Sequence, residues 1–279
     1  MKHIWVVGGD PRQAALAAAL EEDGHVVHTF ALGQGEDTLA GIDRADCVIL
    51  PLPSVTGEGL LHAPLCNGRY PMEDILDALR SGQPVFAGMA DERLRRLTEE
   101  RGLPLYDYFA REELTVRNAV PTAEGAIRIA LSELPITLHG ARVLLVGFGR
   151  LSRALAPRLQ GLGARVCAAA RSSHQRALAE SMGLDTEGLD RLPDWLCVYD
   201  LVINTVPALV LGEKELAAMK EGVLVIDLAS RPGGVDFAAA EQLGVKAIHA
   251  LSLPGKEAPV TAGRYIRDTV YHMMEELGV

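Results

Sequence analysis

Short apolar runs alternate with helix-length amphipathic segments along this whole chain, and that alternation constrains the fold more than any other feature. Runs such as "HIWVVGG", "HVVHTFAL", "DCVILPLP" and "PVFAGM" read as buried strands, with "LPLYDYF" a shorter strand-like piece. Between them "PRQAALAAALEED", "MEDILDALRS" and "DERLRRLTEER" read as helices. Parallel strands need long crossover connections, most often helices, so this order predicts parallel sheets flanked by helices.

The pattern restarts after residue 120. The second series runs strand 142–147, helix 151–161, strand 165–170 and helix 173–182, then strands "LVINTV", "VLVIDLA" and "KAIHAL". A final helix of about five turns, "AGRYIRDTVYHMMEEL", ends the chain. The expected fold class is α/β, two tandem Rossmann-like doubly wound parallel-sheet domains. Residues 1–120 would form a flavodoxin- or Rossmann-like substrate domain, completed by the C-terminal helix 261–279. Residues 121–260 would form a dinucleotide-binding domain. The segment "PTAEGAIRIALSEL" places Pro121, Thr122 and Glu124 as a helix start, giving a bridge that begins at Pro121.

A length of 279 residues suits two domains. The net charge of -10, from 27 basic and 37 acidic residues, argues against nucleic acid or an anionic membrane as the main partner. Cys47, Cys66, Cys167 and Cys197 contain no C-x-x-C pair, so neither a disulfide framework nor a zinc site is indicated. The N-terminal residues enter a strand, and no apolar run reaches membrane-spanning length, so the cytoplasm is expected.

The chemistry is concentrated in "ARVLLVGFGRLSRALA". Gly147 and Gly149 fall between an apolar strand and a helix. Gly147 permits the tight turn, and Gly149 lets the backbone approach a pyrophosphate at the helix N-terminus. The expected cofactor contacts run from Gly147 through Phe148, Gly149, Arg150 and Leu151 to Ser152, a serine where a third glycine is usual. The next strand ends at Arg171 and Ser172, 22 residues beyond Gly149, where an NAD site normally carries an acid. A guanidinium and a hydroxyl suit a 2′-phosphate, so NADP is expected, with NAD as the alternative. Thr205, Val206 and Pro207 lie at the end of one later strand, and Leu228, Ala229 and Ser230 at the end of another, in positions that also face a cofactor. Asp227, inside an apolar run, is either a structural acceptor for loop N–H groups or part of the site, the structural reading being preferred.

"GGDPRQ" offers a second anion cradle with Asp10 and Arg12, equally readable as a capped helix start. Arg12, Arg117, Asn118, Arg231 and Lys256 are the candidate substrate donors. Asp10 and Lys256, the latter read as part of a Pro/Gly-rich loop, are the candidate catalytic groups. The eight histidines show no ligand spacing and are read as structural or exposed, and no metal site is expected.

Taken in order, "GGDPRQ", "NAVPTAEGAI", "LHGARVLLVGFGR", "AARSS", "INTVPAL", "DLASRPGGVDF" and "LPGKEAPVTAG" resemble the A-subunit family of bacterial dipicolinate synthases. The resemblance runs from residue 8 to residue 263. It implies a two-domain architecture like that of 2-hydroxyacid and alanine dehydrogenases, working in sporulation with a flavoprotein-like B subunit. The implied reaction takes a tetrahydrodipicolinate-type dicarboxylate from the lysine pathway to pyridine-2,6-dicarboxylate, with NADP accepting hydride. A homo-oligomer is also expected. Ser152 departs from the family's usual glycine. Two other readings remain open at this level: a stand-alone hydroxyacid or imino-acid dehydrogenase, and a nucleotide-binding subunit without catalysis of its own.

Overall fold

The computed structural model describes residues 1–33 and 38–278, and the chain divides into two compact units. One comprises residues 1–118 and 254–279, the other residues 119–253.

In the first unit, β1 (His3–Val7), β2 (Val26–Phe30), β3 (Cys47–Ile49), β4 (Val85–Ala87) and β5 (Leu105–Asp107) form a parallel sheet in the order β2-β1-β3-β4-β5. Helices α1 (Pro11–Glu22), α2 (Met72–Asp77) and α3 (Glu92–Glu100) connect the strands. Burial on both faces explains why β1, β3 and β4 read as continuous apolar runs, while the edge strands β2 and β5 are only partly buried. Ile4 and Val6 enter one core cluster, while Trp5 and Val7 enter another on the opposite face.

The helix expected to start at Pro121 is instead α4 (Glu112–Glu133), with the proline inside it. Proline forfeits one backbone hydrogen bond there. Packing outweighs that loss: Leu114 is buried in the first unit's core, and Ala123, Ala126, Ile127 and Ala130 in the second's.

In the second unit the parallel order is β11-β10-β9-β6-β7-β8. The strands are β6 (Arg142–Val146), β7 (Arg165–Ala169), β8 (Asp185–Glu187), β9 (Leu201–Asn204), β10 (Leu224–Asp227) and β11 (Lys246–His249). Helices α5 (Arg150–Gly161), α6 (Ser173–Ser181), α7 (Glu213–Ala217) and α8 (Phe237–Gln242) flank them. Val143 and Leu145 face one core, Leu144 and Val146 the other.

The stretch around Lys256, read from sequence as a loop, contains α9 (Leu253–Glu257). α10 (Pro259–Leu277) then returns to the first unit and crosses α1 closely at Gly263. A Cβ at that glycine would lie 2.6 Å from the Arg12 carbonyl oxygen, so any side chain would force the helices apart. Arg111 pairs with Glu276 and Arg267 with Asp23, fastening α10 to the same unit.

Candidate functional site

In the second sheet, the strands after β6 run outward through β7 and β8, while β9, β10 and β11 build the opposite half. The connections leaving β6 and β9 therefore diverge, and the crevice between them lies at the strand C-termini. A cavity of about 750 Å³ opens there, within the range of small-molecule sites. Gly147, Phe148 and Gly149 line it from the β6 loop, and Thr205 to Val210 from the β9 loop. Arg171 and Gln175 enter after β7, and Leu189 and Asp190 after β8.

The β6 loop has one strained position and one open one. Gly147 sits at φ +84°, and a Cβ there would come within 2.7 Å of both Thr205 Oγ1 and Val206 Cγ2. Gly149 is extended at the N-cap of α5, and a Cβ there would meet nothing within 4 Å. That open space beside the helix N-terminus fits a pyrophosphate, whose charge the positive end of the helix dipole favours. Ser152 is fully buried and its hydroxyl donates to the Gly147 carbonyl at 2.7 Å. Thr205 Oγ1 donates to the Val146 carbonyl at 2.9 Å, tying the second loop to the end of β6.

Asp227 is the last residue of β10. It is fully buried and accepts from Asn204 Nδ2 at 2.7 Å, Ala229 N–H at 3.0 Å and Gly234 N–H at 2.8 Å. Asn204 also bonds both ways with Val206, donating to its carbonyl and accepting from its N–H. All these partners are local, so Asp227 shapes the loops after β9 and β10.

After β7, Arg176 Nη1 donates to the carbonyls of Ala170 and Arg171, at 2.8 and 3.0 Å. This holds the turn's backbone while the Arg171 side chain stays exposed on the cavity wall. Ser172 occupies the N-cap of α6 without a side-chain capping bond. Ser152 and Leu151 pack inward instead of lining the cavity, and Arg150 is exposed at the start of α5. Leu228 and Ala229 are buried beyond β10, and Ser230 is exposed. Sequence reasoning misses Gln175, Leu189, Asp190, Ala208, Leu209 and Val210 as lining residues.

The first sheet has its own switch point, between β1 and β3. Asp10 caps α1 by accepting from Arg12 N–H, and the Arg12 guanidinium pairs with the Asp10 carboxylate at 2.7 Å. Arg12 Nη2 also donates to the Leu52 carbonyl at 2.5 Å. The capped-start reading and a polar site therefore coincide, but much of the buried arginine is already engaged within the protein. Gly255 of α9 lies against this pair: a Cβ would sit 3.0 Å from Arg12 Nε and from Asp10 Oδ2. Lys256 is the next residue and is exposed. His62, half-buried beyond β3, titrates below the usual histidine range because of burial, which outweighs the opposing pull of Asp10.

Arg117 is engaged with Asp268 at 3.1 Å and lies over the Tyr265 ring. Arg12, Arg117, Asn118 and Lys256 belong to the first unit, whereas Arg231 belongs to the second, exposed after β10. Among the described residues no group of His, Cys, Asp and Glu is placed to hold a metal, and no helix is long and apolar enough to cross a membrane.

Two doubly wound units, one with a glycine-turn crevice at its switch point, define an NAD(P)-dependent oxidoreductase of the dehydrogenase type. Residues 116–250 match the model of the D-isomer specific 2-hydroxyacid dehydrogenase NAD binding domain, and residues 3–109 that of the N-terminal domain of the dipicolinate synthase A subunit. The chain belongs to the dipicolinate synthase A-subunit family: it is 32% identical to the family member of Bacillus subtilis (strain 168), over 98% of this chain and 96% of the relative. The crystal structure of the Bacillus halodurans member, 31% identical, superposes with a TM-score of 0.88 over 98% of this chain and 97% of that one. A transhydrogenase from Sinorhizobium meliloti, 18% identical, shares the fold alone, with a TM-score of 0.74 over 99% of this chain and 94% of that one.

Proposed function

We propose that this chain is the dehydrogenase subunit that makes pyridine-2,6-dicarboxylate during sporulation, working in the cytoplasm with a flavoprotein-like B subunit. Near-full-length identity of 32% to a dipicolinate synthase A subunit carries this reading. The substrate is a tetrahydropyridine dicarboxylate. Aromatisation of its hydroxylated form loses one water, one proton and one hydride. When bound, the nicotinamide accepts that hydride.

The chain's own residues bind and orient. Gly149 and the first turn of α5 hold the pyrophosphate, and Thr205, Val206 and Pro207 face the nicotinamide half. Arg171 and Ser172 take the 2′-phosphate of NADP, a preference supported by an exposed guanidinium on the cavity wall. On the substrate side, Arg12, Arg117, Asn118, Arg231 and Lys256 are the groups assigned to the two carboxylates. Asp10 and Lys256 are the groups assigned to proton transfer.

Two measurements test this. Fluorescence titration with NADPH and NADH should show that Arg171→Asp weakens NADPH binding far more than NADH binding; equal losses would remove the phosphate role. Turnover assays with and without the B subunit should show dicarboxylate oxidation in the pair. Oxidation of a simple 2-hydroxy acid by the lone chain would reject the dipicolinate assignment.

A further inference from the structure

The cavity of the second unit is lined by two residues of opposite charge, Arg171 after β7 and Asp190 after β8. Asp190 opens the short 3₁₀ helix Leu189–Asp194 and is exposed. The neighbouring Arg191 pairs chiefly with Asp194, 2.9 Å away, and feels the Asp190 charge only as a weaker neighbour. Arg171 likewise keeps its guanidinium on the cavity wall while Arg176 secures the backbone beneath it.

Strand order separates the two charges. β6 carries the glycine turn, β7 is its neighbour, and β8 is the edge strand beyond. A dinucleotide whose pyrophosphate lies at Gly149 and whose ribose lies at Arg171 must extend its base toward the residues after β8. There it meets Leu189, half-buried and apolar, beside the Asp190 carboxylate. A carboxylate only accepts hydrogen bonds. Adenine offers it an exocyclic amino group, whereas hypoxanthine presents a carbonyl oxygen in the same place and would be repelled.

We infer that Asp190 is a specificity residue that selects adenine as the base of the cofactor by accepting a hydrogen bond from its 6-amino group. The inference rests on the reading of this cavity as the dinucleotide site. Asp190 does not take part in the chemistry at the nicotinamide.

The test compares NADPH with its hypoxanthine analogue by fluorescence titration of the full chain, in the wild type and in Asp190→Asn. A charge-assisted hydrogen bond corresponds to roughly tenfold or more in affinity, so the wild type should prefer the adenine dinucleotide by at least about that factor. Asp190→Asn keeps the size but adds a donor for the hypoxanthine oxygen, and should close most of the gap. A gap of the same size in the variant would overturn the inference, as would no gap in the wild type. Equal weakening of both dinucleotides would also overturn it, moving Asp190 to the ribose. Wild type that binds neither would overturn the inference together with the cofactor reading beneath it.

Discussion

The hydroxyl of Ser152 donates to the carbonyl of Gly147 at 2.7 Å, from a fully buried position in the first turn and a half of α5. A serine at the third position of the glycine fingerprint is therefore a strut between the helix and the turn that begins the motif. It fills the close helix–sheet contact that a glycine would leave bare, and it satisfies a carbonyl at the strained residue.

Ser152→Ala should lower stability by about 1 kcal/mol, the usual net value of one intramolecular hydrogen bond. Ser152→Gly should cost about 1 kcal/mol more, because glycine is a poor helix former. Urea unfolding of both variants checks the order, and a glycine variant as stable as wild type would show that the strut contributes nothing.

Gly147 is the least replaceable residue of the loop. Alanine there would combine a positive φ with contacts of 2.7 Å to Thr205 Oγ1 and Val206 Cγ2. Gly147→Ala should cost about 2 kcal/mol through strain and displacement of the β9 loop. Dinucleotide affinity should fall by roughly tenfold or more, because the lining Thr205 and Val206 must move. Gly149→Ala, with open space at its Cβ, should leave stability nearly unchanged and still weaken dinucleotide binding. Titration and unfolding measured on the same pair of variants separate the two roles.

Strands buried on both faces are legible as apolar runs, because both sides of each strand need apolar residues; β1 and β6 are examples. β8 is not legible: "DTE" is three polar residues on a sheet edge, with no periodicity to read. Missing β8 also hides the cavity wall that follows it, Leu189 and Asp190. Pro121 misleads because proline favours a helix start, whereas packing on both sides of it sustains a longer helix. Nor does a sequence show which arginines are already engaged. Arg12, Arg117 and Arg171 look alike in the chain, yet the first two are paired with carboxylates of the protein and Arg171 faces a cavity.

Asp227 should behave as a structural residue. Replacing it with alanine strands the buried N–H groups of Ala229 and Gly234 and leaves Asn204 Nδ2 with only its bond to the Val206 carbonyl. A loss on the order of 3 kcal/mol is expected, since each orphaned donor costs about 1–3 kcal/mol before relaxation. Asp227→Asn retains the shape but can serve fewer donors, and should fall between wild type and alanine. Thermal unfolding with and without dinucleotide tests this; an alanine variant of wild-type stability would contradict the network.

The buried cysteines give the chain an alkaline limit. Burial pushes the Cys47 thiol up to about 12, and burial also raises Cys167. An unfolded chain releases these protons near the ordinary thiol range of about 8.5, whereas the folded chain retains them. Above that range the unfolded state binds fewer protons, so stability falls with rising pH by up to about 1.4 kcal/mol per pH unit for each such thiol, until the folded groups titrate. Chemical denaturation from about pH 8 to about pH 10, compared with Cys47→Ala, should show a shallower decline in the variant, even where alanine lowers stability at neutral pH. Thiol alkylation gives an independent check on the same residues. Cys197 is exposed and should react in the folded protein, whereas Cys47 should react only once the protein unfolds. Rapid native labelling of Cys47 would contradict its burial in the core between the first sheet and helices α1 and α10.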